Sequence, residues 1–282
     1  MSLAVKSIRA GTNAASFVAP GVAGRLAFQL WRRPLVRGRV RPGERAIHEA
    51  ARVEVVEGVV TYAWGDGRRP VLLVHGWRSR ASRYAAFVAR LLELGYSPVS
   101  YDAPGHGDTP GRAGTILDHQ RIIRALAERH GTFEGVVAHS LGVPFALYAV
   151  REGVAARRVV TISGVCEFEY LVDAFCKELR LRPRVNQALR RSIERGLFEG
   201  DGDIWTRFSG VRPAECDLLV VHNDLDEVVD PAQARLLVAA YGSRARLVET
   251  TGLGHHRILS DAAVIDEAMG FLTAASPVES AS

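Results

Sequence analysis

Lysine is almost missing from this 282-residue chain: Lys6 and Lys177 are the only two, and every other basic residue is arginine. With a formal charge of +5 and abundant Ala, Gly and Val, that pattern points to genomic composition bias rather than a binding stripe. No nucleic-acid reader motif accompanies the charge, so no nucleic-acid partner is expected. Cysteine is scarce too. Cys166, Cys176 and Cys216 are odd in number and lack C-x-x-C spacing, which excludes a disulfide framework and a zinc site and fits a reducing, cytoplasmic compartment. No residue spacing would hold any other metal, and no cofactor is expected. Long apolar runs are absent as well: Ala14 to Leu30 is interrupted by Pro20 and Arg25, lacks a cleavage box behind it, and is too broken to span a bilayer. What remains is 48% hydrophobic, enough to bury one large α/β domain or a domain plus an insertion.

The stretch Gly135 to Gly142, Gly-Val-Val-Ala-His-Ser-Leu-Gly, organises the rest. Val136 and Val137 end a buried strand, and Pro144 to Val150 begins an apolar helix, which places Ser140 on the turn between them. Ala138 and Gly142, two positions before and after, are small enough for a sharp turn that lifts the serine Oγ out of the sheet. Such a turn leaves the N–H of Leu141 free for an oxyanion. Alanine stands where G-x-S-x-G has its first glycine and lacks that residue's backbone freedom.

Around this turn the chain alternates. Residues 1–50 form a basic and apolar helical extension. Within it Gly24 to Val40 mixes Leu26, Phe28, Leu30, Trp31 and Leu35 with five arginines, and could lie on an anionic membrane surface or pack its apolar side on the domain. Val53 and Val55, then Val60, Tyr62 and Trp64, predict a hairpin turning at Glu57-Gly58. Val71 to Val74 reads as a buried parallel strand, with His75-Gly76-Trp77 at its carboxyl end and the Trp77 N–H as a second oxyanion donor. Helix patterns over Ser82 to Leu94, Ile116 to His130 and Pro144 to Glu152 alternate with strands over Tyr96 to Tyr101, Gly135 to His139 and Val159 to Ser163. The expected fold class is therefore α/β, a mostly parallel, doubly wound sheet. Residues 166–213 break the rhythm and predict two or three helices inserted as a cap. Strands at Leu218 to Val221 and Arg246 to Thr250, and helices over Pro231 to Tyr241 and Ile258 to Leu272, complete a core of residues 51–165 and 214–274, and 275–282 form a flexible tail.

Three polar groups thus stand at carboxyl ends of predicted parallel strands, the edge where open α/β sheets bind ligands: Ser140, an acid within Asp224 to Glu227, and a histidine at His255 or His256. A serine hydroxyl needs an imidazole to take its proton, and the imidazole needs a carboxylate to fix its tautomer. The order Ser, Asp, His is the one expected for this turn.

On these residues the chain resembles the α/β-hydrolase fold superfamily over about Val53 to Leu272. The resemblance implies an eight-stranded sheet with a nucleophile elbow at Ala138 to Gly142, an oxyanion strand end at His75-Gly76-Trp77, and a substrate loop at Asp102 to Gly107. His222 to Val229 resembles the family pattern H-G-x-x-D-x-x-V, with Asn223 in the glycine position, and aligns Asp226 with the acid ahead of Asp224 and Glu167. The family's G-H pattern puts the base at His255, ahead of His256. His75, Gly76, His106 and His139 are expected to border the substrate, with His75 and His106 hydrogen-bonding loop backbone beside the site and His139 at the variable elbow position, while His48, His119 and His130 read as surface groups. The implied activity is a serine carboxylester hydrolase working on an apolar acyl ester through an acyl-enzyme. A thioesterase or acyltransferase is the alternative in kind, and a non-catalytic binding protein the alternative in class.

Overall fold

The computed structural model describes residues 3–34 and 36–274; Leu35 and the tail 275–282, on which two of the expectations above fall, lie outside the described residues. Eight strands form one sheet: β1 Arg52–Val56, β2 Val59–Ala63, β3 Pro70–Val74, β4 Ser97–Tyr101, β5 Gly135–His139, β6 Arg158–Ile162, β7 Asp217–Asn223 and β8 Ala245–Thr250. Their order is β1-β2-β4-β3-β5-β6-β7-β8. The β1–β2 hairpin is antiparallel, β2 also runs antiparallel to β4, and every pair from β4 to β8 is parallel. Glu57 and Gly58 turn the hairpin with φ of 51° and 76°, the left-handed pair that matches the twist of two antiparallel strands.

Among the described residues twelve helices connect and cover the strands in chain order: α1 Leu3–Val18, α2 Pro20–Trp31, α3 Arg45–Glu49, α4 Ala85–Glu93, α5 Ile116–His130 and α6 Gly142–Arg151, then α7 Phe168–Glu178, α8 Pro183–Leu197, α9 Ile204–Arg207, α10 Ala232–Tyr241, α11 Gly254–Arg257 and α12 Ala262–Thr273. The central strands read as continuous apolar runs because successive side chains enter different cores. Leu72, Val74, Val136, Ala138, Leu218 and Val220 pack on one face with α5, α6 and α10. Val71, Leu73, Val137, Leu219 and Val221 pack on the other with α4 and α12. Helix α6 is buried along nearly its whole length, as a helix apolar on all sides must be.

The last helix differs from the expectation of one element over Ile258 to Leu272. Asp261 accepts a hydrogen bond from the Val264 N–H and starts α12 afresh, a cap that competes with continuing the preceding turn. Between β6 and β7 three helices, α7 to α9, fill the break in the alternation. They share a third core with α2, built on Phe28, Phe168, Val172, Leu189, Phe198 and Phe208.

The extension carries α1, α2 and the short α3, and α2 ends at Trp31 rather than running on to Val40. Ala23, Gly24, Ala27 and Phe28 are the buried side of α2. Gly24 lies so close to α8 that a Cβ there would stand 2.5 Å from the Ala188 carbonyl oxygen. The opposite side of α2, with Val22, Arg25 and Leu26, faces solvent.

Candidate active site

Ser140 leaves β5 with φ of 55°, a left-handed conformation that costs an L-residue free energy and survives only where surroundings enforce it. The enforcement is visible: the Ser140 N–H donates to the Ile162 carbonyl at 3.0 Å, and its own carbonyl accepts from Val143 at 3.1 Å. A Cβ on Gly142 would fall 2.3 Å from the Val74 carbonyl oxygen, so α6 can start this tightly only from glycine. Ala138, by contrast, is an ordinary strand residue inside β5, buried and without a positive φ. That position asks for a small side chain and not for glycine's backbone freedom.

His255 is carried by the one-turn α11. Its Nδ1–H donates to Asp226 Oδ2 at 2.8 Å, and its Nε2 accepts from the Ser140 hydroxyl at 3.0 Å. Asp226, in the loop that follows β7, is buried, and its other oxygen accepts from the backbone N–H groups of Val228 and Val229 at 2.8 and 2.9 Å. Burial alone would raise this carboxyl, but the bonds from His255 and those two N–H groups outweigh it and hold Asp226 well below the ordinary carboxylate range. The other residues considered for these roles are occupied or misplaced. Glu167 accepts from the side-chain amide of Gln233 at 3.1 Å, Asp224 is exposed, and His256 is exposed, the bonds to Asp226 and Ser140 being made by His255. The three thiols are buried, which pushes Cys166 and Cys216 up to about 12 and Cys176 to about 11, so none competes as a nucleophile near neutrality.

The turn after β3 lies directly against the serine. A Cβ on Gly76 would be 2.7 Å from Ser140 Cβ and 3.2 Å from its Oγ. Among the described residues, neither the Trp77 N–H nor the Leu141 N–H donates to a protein acceptor, and both residues line the same cavity as Ser140.

The histidines beside this turn hold the scaffold. His75 Nε2 accepts from the Ala103 N–H at 3.0 Å, which leaves its Nδ1–H to donate to the Gly76 carbonyl at 2.8 Å. His106 Nδ1–H donates to the Pro104 carbonyl at 3.0 Å, and Trp77 rests edge-on against its ring, 5.1 Å between centroids. His139 Nε2–H donates to the His255 carbonyl at 2.9 Å. Burial keeps all three neutral: it lowers His75, brings His106 down to about 4 with help from His75, and His139 to about 3 with help from His255.

A cavity of about 1070 Å³ opens over Ser140, His255 and Asp226. His75, Gly76, His106 and His139, expected to border the substrate, are not in its lining but in the layer beneath it. Nor does the loop Asp102 to Gly107 line it; Ala113 to Ile116 do. The loop is drawn inward because the buried Asp102 carboxylate accepts from the N–H groups of Ala81 and Asp108, the Tyr62 hydroxyl and Arg80. His119 is likewise buried rather than superficial, bonded to the Tyr101 hydroxyl at 2.7 Å. His48 and His130 are partly buried, with His48 Nε2 3.2 Å from Arg80.

Two residues to which sequence reasoning gave no role tie the site together. Asn223, in place of the family glycine, accepts from the Leu253 N–H at 3.0 Å and so joins the acid's loop to the histidine's. Gln233 accepts from the N–H groups of Cys166 and Glu167, both at 2.9 Å, and anchors the entry to α7. A polar residue ending a strand beside the acid was the available signal for Asn223; nothing local marked Gln233.

Residues 71–210 match the family model described as alpha/beta hydrolase family. No curated protein matches the chain. Solved structures resemble it at low identity. An esterase from Rhodococcus is 17% identical, covering 80% of this chain and 100% of its own, with a TM-score of 0.58. A monoacylglycerol lipase from Paleococcus ferrophilus is 21% identical, covering 74% and 95%, with a TM-score of 0.56. A bromoperoxidase from Bacillus anthracis is 18% identical, covering 79% and 99%, also with a TM-score of 0.58. The strand order, the strained serine between β5 and α6, and this match together show that the chain has the α/β-hydrolase fold.

Proposed function

We propose that the protein is a serine hydrolase that cleaves a carboxylic ester of an apolar acyl substrate. The observation that carries this reading is the unbroken line from Ser140 through His255 to Asp226, with bonds of 3.0 and 2.8 Å. A buried acid, an imidazole with a fixed tautomer and a strained serine at one cavity wall have no purpose in a binding module. In the proposed reaction Ser140 Oγ attacks the acyl carbonyl as His255 Nε2 takes its proton. Asp226 stabilises the imidazolium, and the N–H groups of Trp77 and Leu141 receive the oxyanion. His255 then gives its proton to the leaving alkoxide. Water, activated by the same imidazole, releases the acid and restores the serine.

The cavity supports the choice of acyl group. Leu30, Ile116, Phe145, Leu171, Phe175 and Leu197 are among its walls, an apolar lining that favours a hydrocarbon chain over a sugar or peptide. Helices α7 to α9 act in this reading as the cap over the strand ends.

Hydrolysis of p-nitrophenyl esters of increasing chain length, run beside the matching thioesters, tests the reaction and its leaving group. Wild type should turn over esters, and Ser140→Ala should lose roughly 10⁴-fold or more in kcat/KM. Ester hydrolysis that survives in Ser140→Ala would sink the proposal.

A further inference from the structure

Eight cations and no acid precede Glu44, so the chain's positive excess comes entirely from this first segment. Among the described residues the segment also holds a group of exposed large apolar side chains. Phe17 is 54% exposed, Val18 91%, Val22 41% and Leu26 54%. All four sit where α1 meets α2 or on the solvent side of α2, with Arg25 among them. Leu26 does two things at once: it faces solvent and it lines the catalytic cavity, next to Leu30 and Trp31 on the same helix. Leu26 therefore joins the exposed apolar side of the hairpin to the lining of the cavity that holds Ser140.

The hairpin is held in this position by specific bonds. Asn13 donates to the Arg180 carbonyl at 3.2 Å and accepts from the Arg182 N–H at 3.0 Å, which fixes α1 to the turn between α7 and α8. That turn and the start of α8 contribute two more cations, because the guanidinium groups of Arg182 and Arg184 stand 4.5 and 5.5 Å from the centre of the Phe17 ring. An apolar tip ringed by arginine, with no acid on either helix, has the two attractions that hold a protein at an anionic bilayer: insertion of side chains among acyl chains and charge attraction to headgroups.

We propose that the exposed face of the α1–α2 hairpin docks on an anionic lipid bilayer and passes acyl lipids from it, by way of Leu26, into the catalytic cavity. This places the apolar contact at Phe17 to Leu26, N-terminal to most of the Gly24 to Val40 segment singled out by composition. The docking stands on the surface alone, whereas the choice of an acyl ester lipid as substrate rests on the serine-hydrolase reading.

Flotation of the full chain with phosphatidylcholine vesicles, with and without phosphatidylglycerol, tests it. Ser140→Ala should float with the phosphatidylglycerol vesicles as wild type does, since docking needs no turnover. Replacing Phe17, Val18 and Val22 together by serine should reduce the bound fraction about tenfold or more. Arg25→Gln with Arg184→Gln should weaken it, as should added salt. Hydrolysis of a short water-soluble ester should be unchanged in both sets of variants. Failure of wild type to float with anionic vesicles, or equal flotation of the triple-serine variant, would overturn the proposal. So would a wild-type dimer, seen by size exclusion, that the triple-serine variant splits while neither protein binds vesicles. Vesicle binding by a protein inactive on every ester would uphold the docking and overturn only the hydrolase reading.

Discussion

The site is a set of close approaches, and each depends on what a single residue omits. Gly76 omits the Cβ that would lie 2.7 Å from Ser140 Cβ and 3.0 Å from the His139 carbonyl. Gly76→Ala should therefore leave the fold intact, by far-ultraviolet circular dichroism, and lower kcat about 10²-fold or more by shifting the Trp77 N–H off the oxyanion. Gly142→Ala meets backbone rather than a side chain, with Val74 oxygen 2.3 Å away. It should cost about 1–3 kcal/mol in a urea titration, because the start of α6 must move. Ser140, Asp226 and His255 were legible because each follows a strand pattern in the right order. The roles of His75, His106 and His139 were only half legible. Their place near the site follows from sequence, but whether an imidazole faces substrate or the layer below depends on loop closure by Asp102, a distant residue. His119 carried a signal that went unused: with Ile116, Ile122, Ile123 and Leu126 it occupies the buried side of α5, where a histidine is a satisfied core group and not a surface one.

Elements explain why the extension cannot be treated as a detachable leader. Helix α2 crosses α8 through Gly24 against Ala188, while Phe28 packs on Gly196, where an added Cβ would come within 2.9 Å of the ring. Gly24→Val should force these helices apart, lower the melting temperature, and relax chain-length preference on an ester panel because Leu26, Leu30 and Trp31 are cavity walls. An unchanged melting temperature and preference would mean that the hairpin does not shape the cavity. Composition alone indicated an apolar and basic segment, but its partner lies some 160 residues away in the insertion, a pairing with no local signature. The strands, in contrast, were legible to within a residue or two, since alternation in the hairpin and short apolar runs in the central strands are local properties. Asp261 shows the limit of that reading: an acid inside an apolar periodic run is compatible with one helix or with two, and only its bond to Val264 decides.

At the scale of the whole molecule the buried imidazoles make stability depend on pH. In the unfolded chain each histidine takes up a proton near pH 6.5, but the folded protein keeps His106 neutral down to about 4 and His139 down to about 3, and lowers His75 and His222 as well, chiefly by burial. Between those values the unfolded state binds more protons, so stability rises with pH and is lost on acidification from about 6.5 downward. The depressed Asp226 carboxyl adds a loss in the same direction at lower pH. His106 and His139 should each account for about 2 kcal/mol between pH 7 and pH 5. Denaturant midpoints across that range check this, and a flat profile would contradict the burial of these rings.

The central claim is that Ser140 is a nucleophile activated by His255. Reaction with a fluorophosphonate probe, read by intact mass, tests it most directly. The account predicts one adduct on wild type, none on Ser140→Ala, and a strongly slowed reaction on His255→Gln. No adduct on folded wild-type protein, or an adduct that persists in Ser140→Ala, would contradict it.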